Sequence, residues 1–169
     1  MLKGLVLLLS CLVVLQCGYH LRGTGSSLPP HIKKVHIPMF KNRTTRFELD
    51  LKLTQRVIDE LVARGKVEII GSQDAADAVL QGELLSFRAT PIGFSGEAAA
   101  DRYSIVVVAR IIMRDTVDRK IVFSNPSFVY RGEYEVPEGS DFEAVETEAL
   151  DEIAEKFARS LVSTLLEGF

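Results

Sequence analysis

The most constraining feature of this chain is a long alternating segment near its middle. Every second residue between Arg102 and Arg114 is apolar, and side chains two positions apart in a β-strand lie on the same face. The residues predicted to share this core face are Tyr103, Ile105, Val107, Ala109, Ile111 and Met113. The other face is mixed, with Ser104, Val106, Val108, Arg110 and Ile112. This pattern predicts a sheet that is covered on one face and partly exposed, or bound to another molecule, on the other.

Two more segments with strand character flank this one, at about residues 78–90 and 120–131. They are joined to it by a loop over 91–101 and by a turn over 115–118. Such short connections between neighbouring strands favour antiparallel hairpins. Pro126 has no N–H to donate to a ladder, which predicts a bulge or a sheet edge in the third segment.

A first helix is predicted over residues 46–64. Thr45 and Glu48 have the spacing of a capping box, and Gly65 is typical of a helix end. The apolar residues predicted to form its buried face are Phe47, Leu51, Ile58, Leu61 and Val62, with Leu53 and Val57 beside them. Leu49 does not fit this face, so the prediction leaves it outside the core.

The last element is predicted to be a long amphipathic helix. Its apolar stripe consists of Phe142, Val145, Ala149, Ile153, Phe157 and Leu161, widened by Leu150, Ala154, Val162 and Leu165. Short strand candidates at 35–40 and 67–70 complete the order β-α-β-β-β-β-α. This order predicts an α+β fold, a two-layer sandwich in which two helices pack on one face of a mixed, mainly antiparallel sheet of four to five strands.

The N-terminus has the pattern of an export signal. Lys3 precedes an apolar run that ends at Cys17. The run is shorter than the roughly 20 apolar residues that a spanning helix needs. A cysteine at the end of such a run predicts a lipoprotein signal over residues 1–16, with lipid attachment at Cys17. Cys11, directly after Ser10, is the alternative attachment site. A plain cleaved signal peptide and an uncleaved N-terminal anchor are the other open interpretations.

The rest of the chain divides into a tether and one domain. Residues 17–30 are rich in Gly and Ser and end in two prolines, as expected for a lipidated tether. Residues 31–169 have the size of a single α+β domain. The formal net charge of −3 does not favour nucleic-acid binding, which usually shows a basic face. After removal of residues 1–16 only one cysteine remains, which excludes an internal disulfide.

The sequence lacks the common motifs of an enzyme active site. The histidines, His20, His31 and His36, lie in the tether and the first strand without a second ligand at metal-binding spacing. No serine lies in a nucleophile elbow, and the glycines form no phosphate-binding loop. We therefore expect no catalytic residues, no metal and no cofactor, and a protein that is not an enzyme.

Arginines beside apolar residues are the main candidates for binding. Arg88 and Arg102 flank a hairpin that carries Ile92 and Phe94, and Arg131 ends the last long strand. This combination suits an amphiphile with an anionic head group, because a guanidinium presents a planar pair of donors to phosphate or carboxylate. Ordinary strand-end arginines around an exposed hairpin are the alternative interpretation.

The sequence from Cys17 to Gly23, Cys-Gly-Tyr-His-Leu-Arg-Gly, resembles the start of the mature lipopolysaccharide-assembly lipoproteins. The Asn125-Pro126 pair before a basic strand end is also similar to that family. The resemblance implies a palmitate-bearing outer-membrane lipoprotein that faces the periplasm or lies within the lumen of a large β-barrel, the lipopolysaccharide translocon. It implies that the protein plugs this barrel, helps it to assemble, and contacts lipopolysaccharide. Arg131, Arg88 and Arg102 are then the expected lipopolysaccharide contacts.

A second function class stays open at this point. A structural adaptor lipoprotein of another envelope secretion or assembly complex would have a similar small α+β domain without a lipid ligand. The two classes differ in their partners, because a plug is extracted with a large barrel and an adaptor with periplasmic or ring-forming proteins.

Overall fold

The computed structural model describes residues 28–95, 99–137, 139–140 and 142–167. Within them the chain forms six strands and two α-helices. The elements are β1 (Lys34–His36), β2 (Lys41–Asn42), α1 (Leu49–Arg64), β3 (Glu68–Ile69), a 3₁₀ helix (Gln73–Ala75), β4 (Ala78–Ser95), β5 (Ala99–Asp115), β6 (Ile121–Glu135) and α2 (Phe142–Glu167). The signal, Cys17 and most of the tether lie outside the described residues.

The six strands form one mixed sheet in the order β3-β1-β4-β5-β6, and β2 also pairs with β4. β1 is parallel to both β3 and β4, and β2 is parallel to β4. β4, β5 and β6 form an antiparallel meander. The predicted α+β fold is therefore confirmed. The sheet has one more strand than expected because the predicted element order contains no strand at Lys41–Asn42, where β2 forms.

The predicted core face of β5 is also confirmed. Ile105, Val107, Ala109, Ile111 and Met113 are all 0% exposed, and Tyr103 is half-buried at the end of the row. α2 covers this face with the predicted stripe from Ala149 onward, while Val145 is only half-buried and Ala158 and Leu166 join the buried residues. Its buried residues are Ala149, Leu150, Ile153, Ala154, Phe157, Ala158, Leu161, Val162, Leu165 and Leu166. Burial of so many large apolar side chains makes this face the source of the fold's stability.

The phase predicted for α1 is wrong. The helix begins at Leu49, and the preceding Glu48 has φ 58° and makes no side-chain cap hydrogen bond. The Thr45–Glu48 capping box is therefore not formed. The buried residues are Leu49, Leu53, Thr54, Val57 and Leu61. Phe47 is 90% exposed, and Leu51 and Val62 are also exposed, so the helix presents a face that lies next to the predicted one.

The loop before α1 explains this shift. The Asn42 side-chain amide donates to the Arg46 carbonyl at 2.8 Å, and the Asn42 Oδ1 accepts the Thr44 N–H at 2.9 Å. The Phe40 N–H donates to the Thr54 hydroxyl at 3.0 Å, which ties the helix to the end of the first strand segment. These bonds turn the chain before Leu49 and leave Phe47 outside the helix.

The long strands extend further than the sequence indicated. β4 continues to Ser95 and β5 starts at Ala99, so most of the predicted loop over 91–101 is a paired hairpin. The prediction for Pro126 is confirmed, because β6 is an edge strand and its register shifts opposite Arg110. At the N-terminal end, Leu28 lies within the segment predicted to be tether and belongs to the core cluster.

Candidate functional site

The face of the sheet that the helices leave open carries a cross-strand row of two arginines and a valine. Arg88 of β4 lies opposite Val106 of β5, and Val106 lies opposite Arg131 of β6. Because neighbouring strands are ~4.8 Å apart, the two arginine Cα atoms are about 10 Å apart on the same face. Two of the three predicted lipopolysaccharide contacts are thus brought together by strand register.

Both arginines of this row are exposed. Within the described residues, neither Arg88 nor Arg131 makes an ion pair or a side-chain hydrogen bond. Their guanidinium donors therefore face outward and can bind an anionic group from outside the chain.

Apolar side chains lie next to the arginine row. Val108 of β5 is the next residue on this face, and its partner across the strand is Val129 of β6, which is 39% exposed. In the other direction along β4, toward the hairpin that joins it to β5, Ile92 and Phe94 are exposed. The open face therefore combines outward-facing cations with apolar surface, as an anionic amphiphile requires.

Arg102, the third predicted contact, has a different environment. It lies opposite Glu135, and its Nη2 donates to Glu135 Oε1 at 2.8 Å. Both side chains are more than half exposed, so the ion pair is solvated and of small energetic value. Arg102 is separated along β5 from the row at Val106 and is partly neutralised.

A second charged cluster on this face brings Arg43, Glu83 and Arg110 together. Glu83 Oε2 accepts from Arg110 Nη1 at 2.6 Å, and Glu83 Oε1 accepts from Arg43 Nε. The hydrogen bond from Arg43 lowers the pKa of the Glu83 carboxyl, while partial burial acts in the opposite direction. The cluster carries two cations and one anion beside a cavity of about 350 Å³ that Met39 and Ile112 also line.

Sequence reasoning missed this cluster. Glu83 and Arg110 are register partners across β4 and β5, and hairpin register could have paired them. Arg43 arrives next to Glu83 only because β2 pairs in parallel with β4. No local sequence pattern indicates the pairing of β2 with β4.

The lipopolysaccharide-assembly (LptE) family model matches residues 32–165, most of the chain. The chain belongs to the lipopolysaccharide-assembly family. Members of this family are non-enzymatic lipoproteins, and the family match assigns this chain to lipopolysaccharide assembly at the family level. No curated protein sequence matches the chain.

Solved structures share the fold of this lipopolysaccharide-assembly family member. CT253 from Chlamydia trachomatis is 15% identical, with a TM-score of 0.55 over 82% of this chain and 97% of that one. XCC0632 from Xanthomonas campestris is 13% identical, with a TM-score of 0.57 over 81% and 86%. PelC from Paraburkholderia phytofirmans is 17% identical, with a TM-score of 0.52 over 85% and 96%. At these identities the similarity concerns the fold.

The described helices of this family member are too short or too polar to cross a membrane.

One cluster away from the open face contains side chains of the types that bind metal ions. The His31 imidazole and the carboxylates of Asp115 and Asp118 place one ligand-type atom each within 4.8 Å of the others. His31 Nε2 lies 2.6 Å from Asp115 Oδ2, and Asp115 Oδ1 accepts the N–H groups of Val117 and Asp118. These bonds account for both oxygens of the buried Asp115 carboxylate.

Proposed function

We propose that this protein is a non-enzymatic outer-membrane lipoprotein that plugs and helps to assemble the β-barrel through which lipopolysaccharide is exported. In this proposal Cys17 carries the lipid anchor, and the segment up to residue 30 connects it to the domain. The open face of the sheet contacts lipopolysaccharide during its insertion into the outer leaflet.

The observation that carries the lipid contact is the row formed by Arg88, Val106 and Arg131. The phosphates and carboxylates of lipopolysaccharide pair well with guanidinium groups, and the valines beside the row accept apolar parts of the same molecule. Arg102 contributes less to lipid binding than this row, because Glu135 already accepts a hydrogen bond from its guanidinium.

The lipid contact is tested by a double substitution, Arg88→Ala with Arg131→Ala, in the full chain in a non-ionic detergent. Binding of fluorescently labelled lipopolysaccharide is measured by anisotropy. We expect the double variant to bind at least roughly tenfold more weakly, since each lost charge-assisted hydrogen bond costs about 1.5–3 kcal/mol. The matched control is Arg64→Ala with Arg159→Ala, which removes one exposed arginine from each helix. Equal affinity for the double variant and the wild type would remove the row from the lipid site.

The barrel contact is tested separately. The tagged lipoprotein is purified from detergent-solubilised outer membranes, and the accompanying proteins are identified by mass spectrometry. A large β-barrel in near-equal amount supports the plug. Periplasmic or ring-forming partners without such a barrel would replace it with the adaptor lipoprotein.

A further inference from the structure

The C-terminal half of β6 is a regular strand at an open edge of the sheet. Among the described strands only β5 pairs with it. Its register from Phe128 to Glu135 runs without a shift, whereas the half around Pro126 is irregular. Natural sheets usually protect an edge by a proline, a bulge, a short strand or charged side chains. Here the proline and the bulge lie in the first half of β6, whereas the second half carries charged side chains, which repel a strand of like charge and attract one of opposite charge.

Strand geometry identifies the backbone groups that face outward. The Val136 N–H donates to the Asp101 carbonyl at 2.8 Å, which places even-numbered residues of β6 in the hydrogen-bonded positions toward β5. N–H and C=O groups alternate sides along an antiparallel strand. The groups of Val129, Arg131, Glu133 and Glu135 therefore point away from the sheet, available to another strand.

A groove of about 610 Å³ runs between this edge and α2. Four glutamates line it, Glu133 and Glu135 from β6 and Glu148 and Glu152 from α2. Arg102 is the one cation among the described residues that line it. Because Arg102 pairs with Glu135, and Lys156 pairs with Glu152 at 2.5 Å, the remaining charge of the groove is negative.

The floor of the groove is apolar. Tyr134, Val145 and Ala149 line it below the glutamates. Tyr134 is only 7% exposed and stacks on Tyr103 with a ring-centroid distance of 5.2 Å. Its hydroxyl has no hydrogen-bond partner in the part of the chain that the structure describes. The groove, the outward-facing backbone of β6 and the buried Tyr134 hydroxyl therefore lie together.

We propose that the edge from Phe128 to Glu135 is a docking site for an extended basic segment of a partner protein, which adds to the sheet as a strand beside β6. The backbone pairs with the outward-facing groups of β6, as in other strand-addition complexes. Charge complementarity selects the partner. Its residues alternate between lysine or arginine, facing Glu133 and Glu135 on the open face, and apolar residues, facing Val145 and Ala149 below α2.

Arg131 sets one end of the basic stretch. Its side chain lies on the same face as those of Glu133 and Glu135, so the partner residue beside it is neutral or acidic. This docking site is independent of the lipid contact, which requires the same arginine's side chain but no pairing of the β6 backbone.

The test uses the full chain in a non-ionic detergent and a labelled peptide of about seven residues. In this peptide valines alternate with one lysine each for Glu133 and Glu135, and a serine at each end places a neutral residue beside Arg131. We expect saturable binding by anisotropy, and no binding of the same peptide with glutamate in place of lysine. Two further peptides carry N-methyl groups on either the lysine or the valine amides. Because only one side of an added strand faces β6, one of these peptides should lose roughly tenfold or more in affinity and the other should not. Equal binding of both would reduce the interaction to charge attraction and overturn the proposal.

Variants of the protein locate the site. Glu133→Lys with Glu135→Lys should weaken binding at least roughly tenfold. The control, Glu155→Lys with Glu167→Lys, makes the same change in charge on exposed positions of α2 and should bind like the wild type. Glu148→Gln with Glu152→Gln leaves β6 intact but lowers the negative charge of the groove. It should therefore weaken binding of the basic peptide to a smaller extent, which guards against misfolding of the strand variant. Unchanged binding in both groove variants would overturn the proposal. A dimer of the wild-type chain in sedimentation velocity, dissociated by the Glu133 and Glu135 changes, would overturn it in favour of a second copy.

Discussion

The two faces of β5 differ although their residues are similar. Val106 and Val107 are adjacent and chemically identical, yet Val107 is fully buried under the helices and Val106 lies half-buried between two outward-facing arginines. On the covered face apolar residues supply stability. On the open face the same residue type lies among unpaired cations and is available to a ligand. The side on which the helices pack therefore decides which face of β5 is core and which face stays accessible.

The largest expected effect comes from placing a carboxylate on each face. Val107→Asp buries an unpaired charge and should cost at least about 4 kcal/mol of unfolding free energy, or prevent folding. Val106→Asp places the carboxylate between Arg88 and Arg131 and should cost about 1 kcal/mol or less, mainly through the lower strand propensity of aspartate. Urea unfolding of the full chain, followed by circular dichroism, measures both. Similar losses for the two variants would contradict the difference between the faces.

A smaller effect tests which face of α1 packs against the core. Leu49 of α1 is buried, whereas Leu51 is half exposed. Leu49→Ala should therefore lower the unfolding free energy by about 2–5 kcal/mol. Leu51→Ala should change it by only about 0.5 kcal/mol. The same urea experiment decides between this phase of α1 and the one predicted from periodicity, which demands the reverse order.

The smallest effect concerns the acid stability of the contact between Asp77 and the start of β1. The N–H groups of Lys33 and Lys34 donate to the Asp77 carboxylate and lower the pKa of Asp77. A lowered folded-state pKa stabilises the fold above the unfolded-chain value of about 3.9 and loses that effect as pH falls through the folded-state value.

Asp77→Asn should therefore lower the melting temperature at neutral pH and approach the wild type near pH 3. Thermal unfolding at both pH values measures this. Asp74→Asn removes a carboxylate from an exposed position of the neighbouring turn and serves as the control. A gap between Asp77→Asn and the wild type that stays constant with pH would assign the effect to lost packing instead of charge.

Prediction from the sequence succeeded where the apolar pattern is strong and unambiguous. The core face of β5 was predicted because its apolar residues recur at every second position along the strand. Most of the α2 stripe was predicted because its apolar residues recur at helical spacing over several turns. α1 was misplaced because two neighbouring faces of that helix are about equally apolar. The positive φ at Glu48 and the hydrogen bonds of Asn42 decide between them, and neither is visible as a periodicity.

The candidate residues can be picked out from the sequence, but their arrangement cannot. Arg88, Arg102 and Arg131 stand out individually beside apolar residues. Their grouping depends on register, which joins Arg88 and Arg131 across Val106 and gives Arg102 to Glu135. Arg43 and the groove along β6 involve elements far apart in the chain, so no local pattern could assemble them.

The sequence alone determined the class of this protein. Its strand alternation, its long amphipathic helix and the motif after Cys17 are local patterns, and local patterns specify secondary structure and family. The tertiary structure decided which face of the sheet stays open, which arginines remain unpaired, and which half of β6 is left as a free edge. These depend on strand order and register, because contacts between distant segments arise only when the whole sheet and its helices pack together.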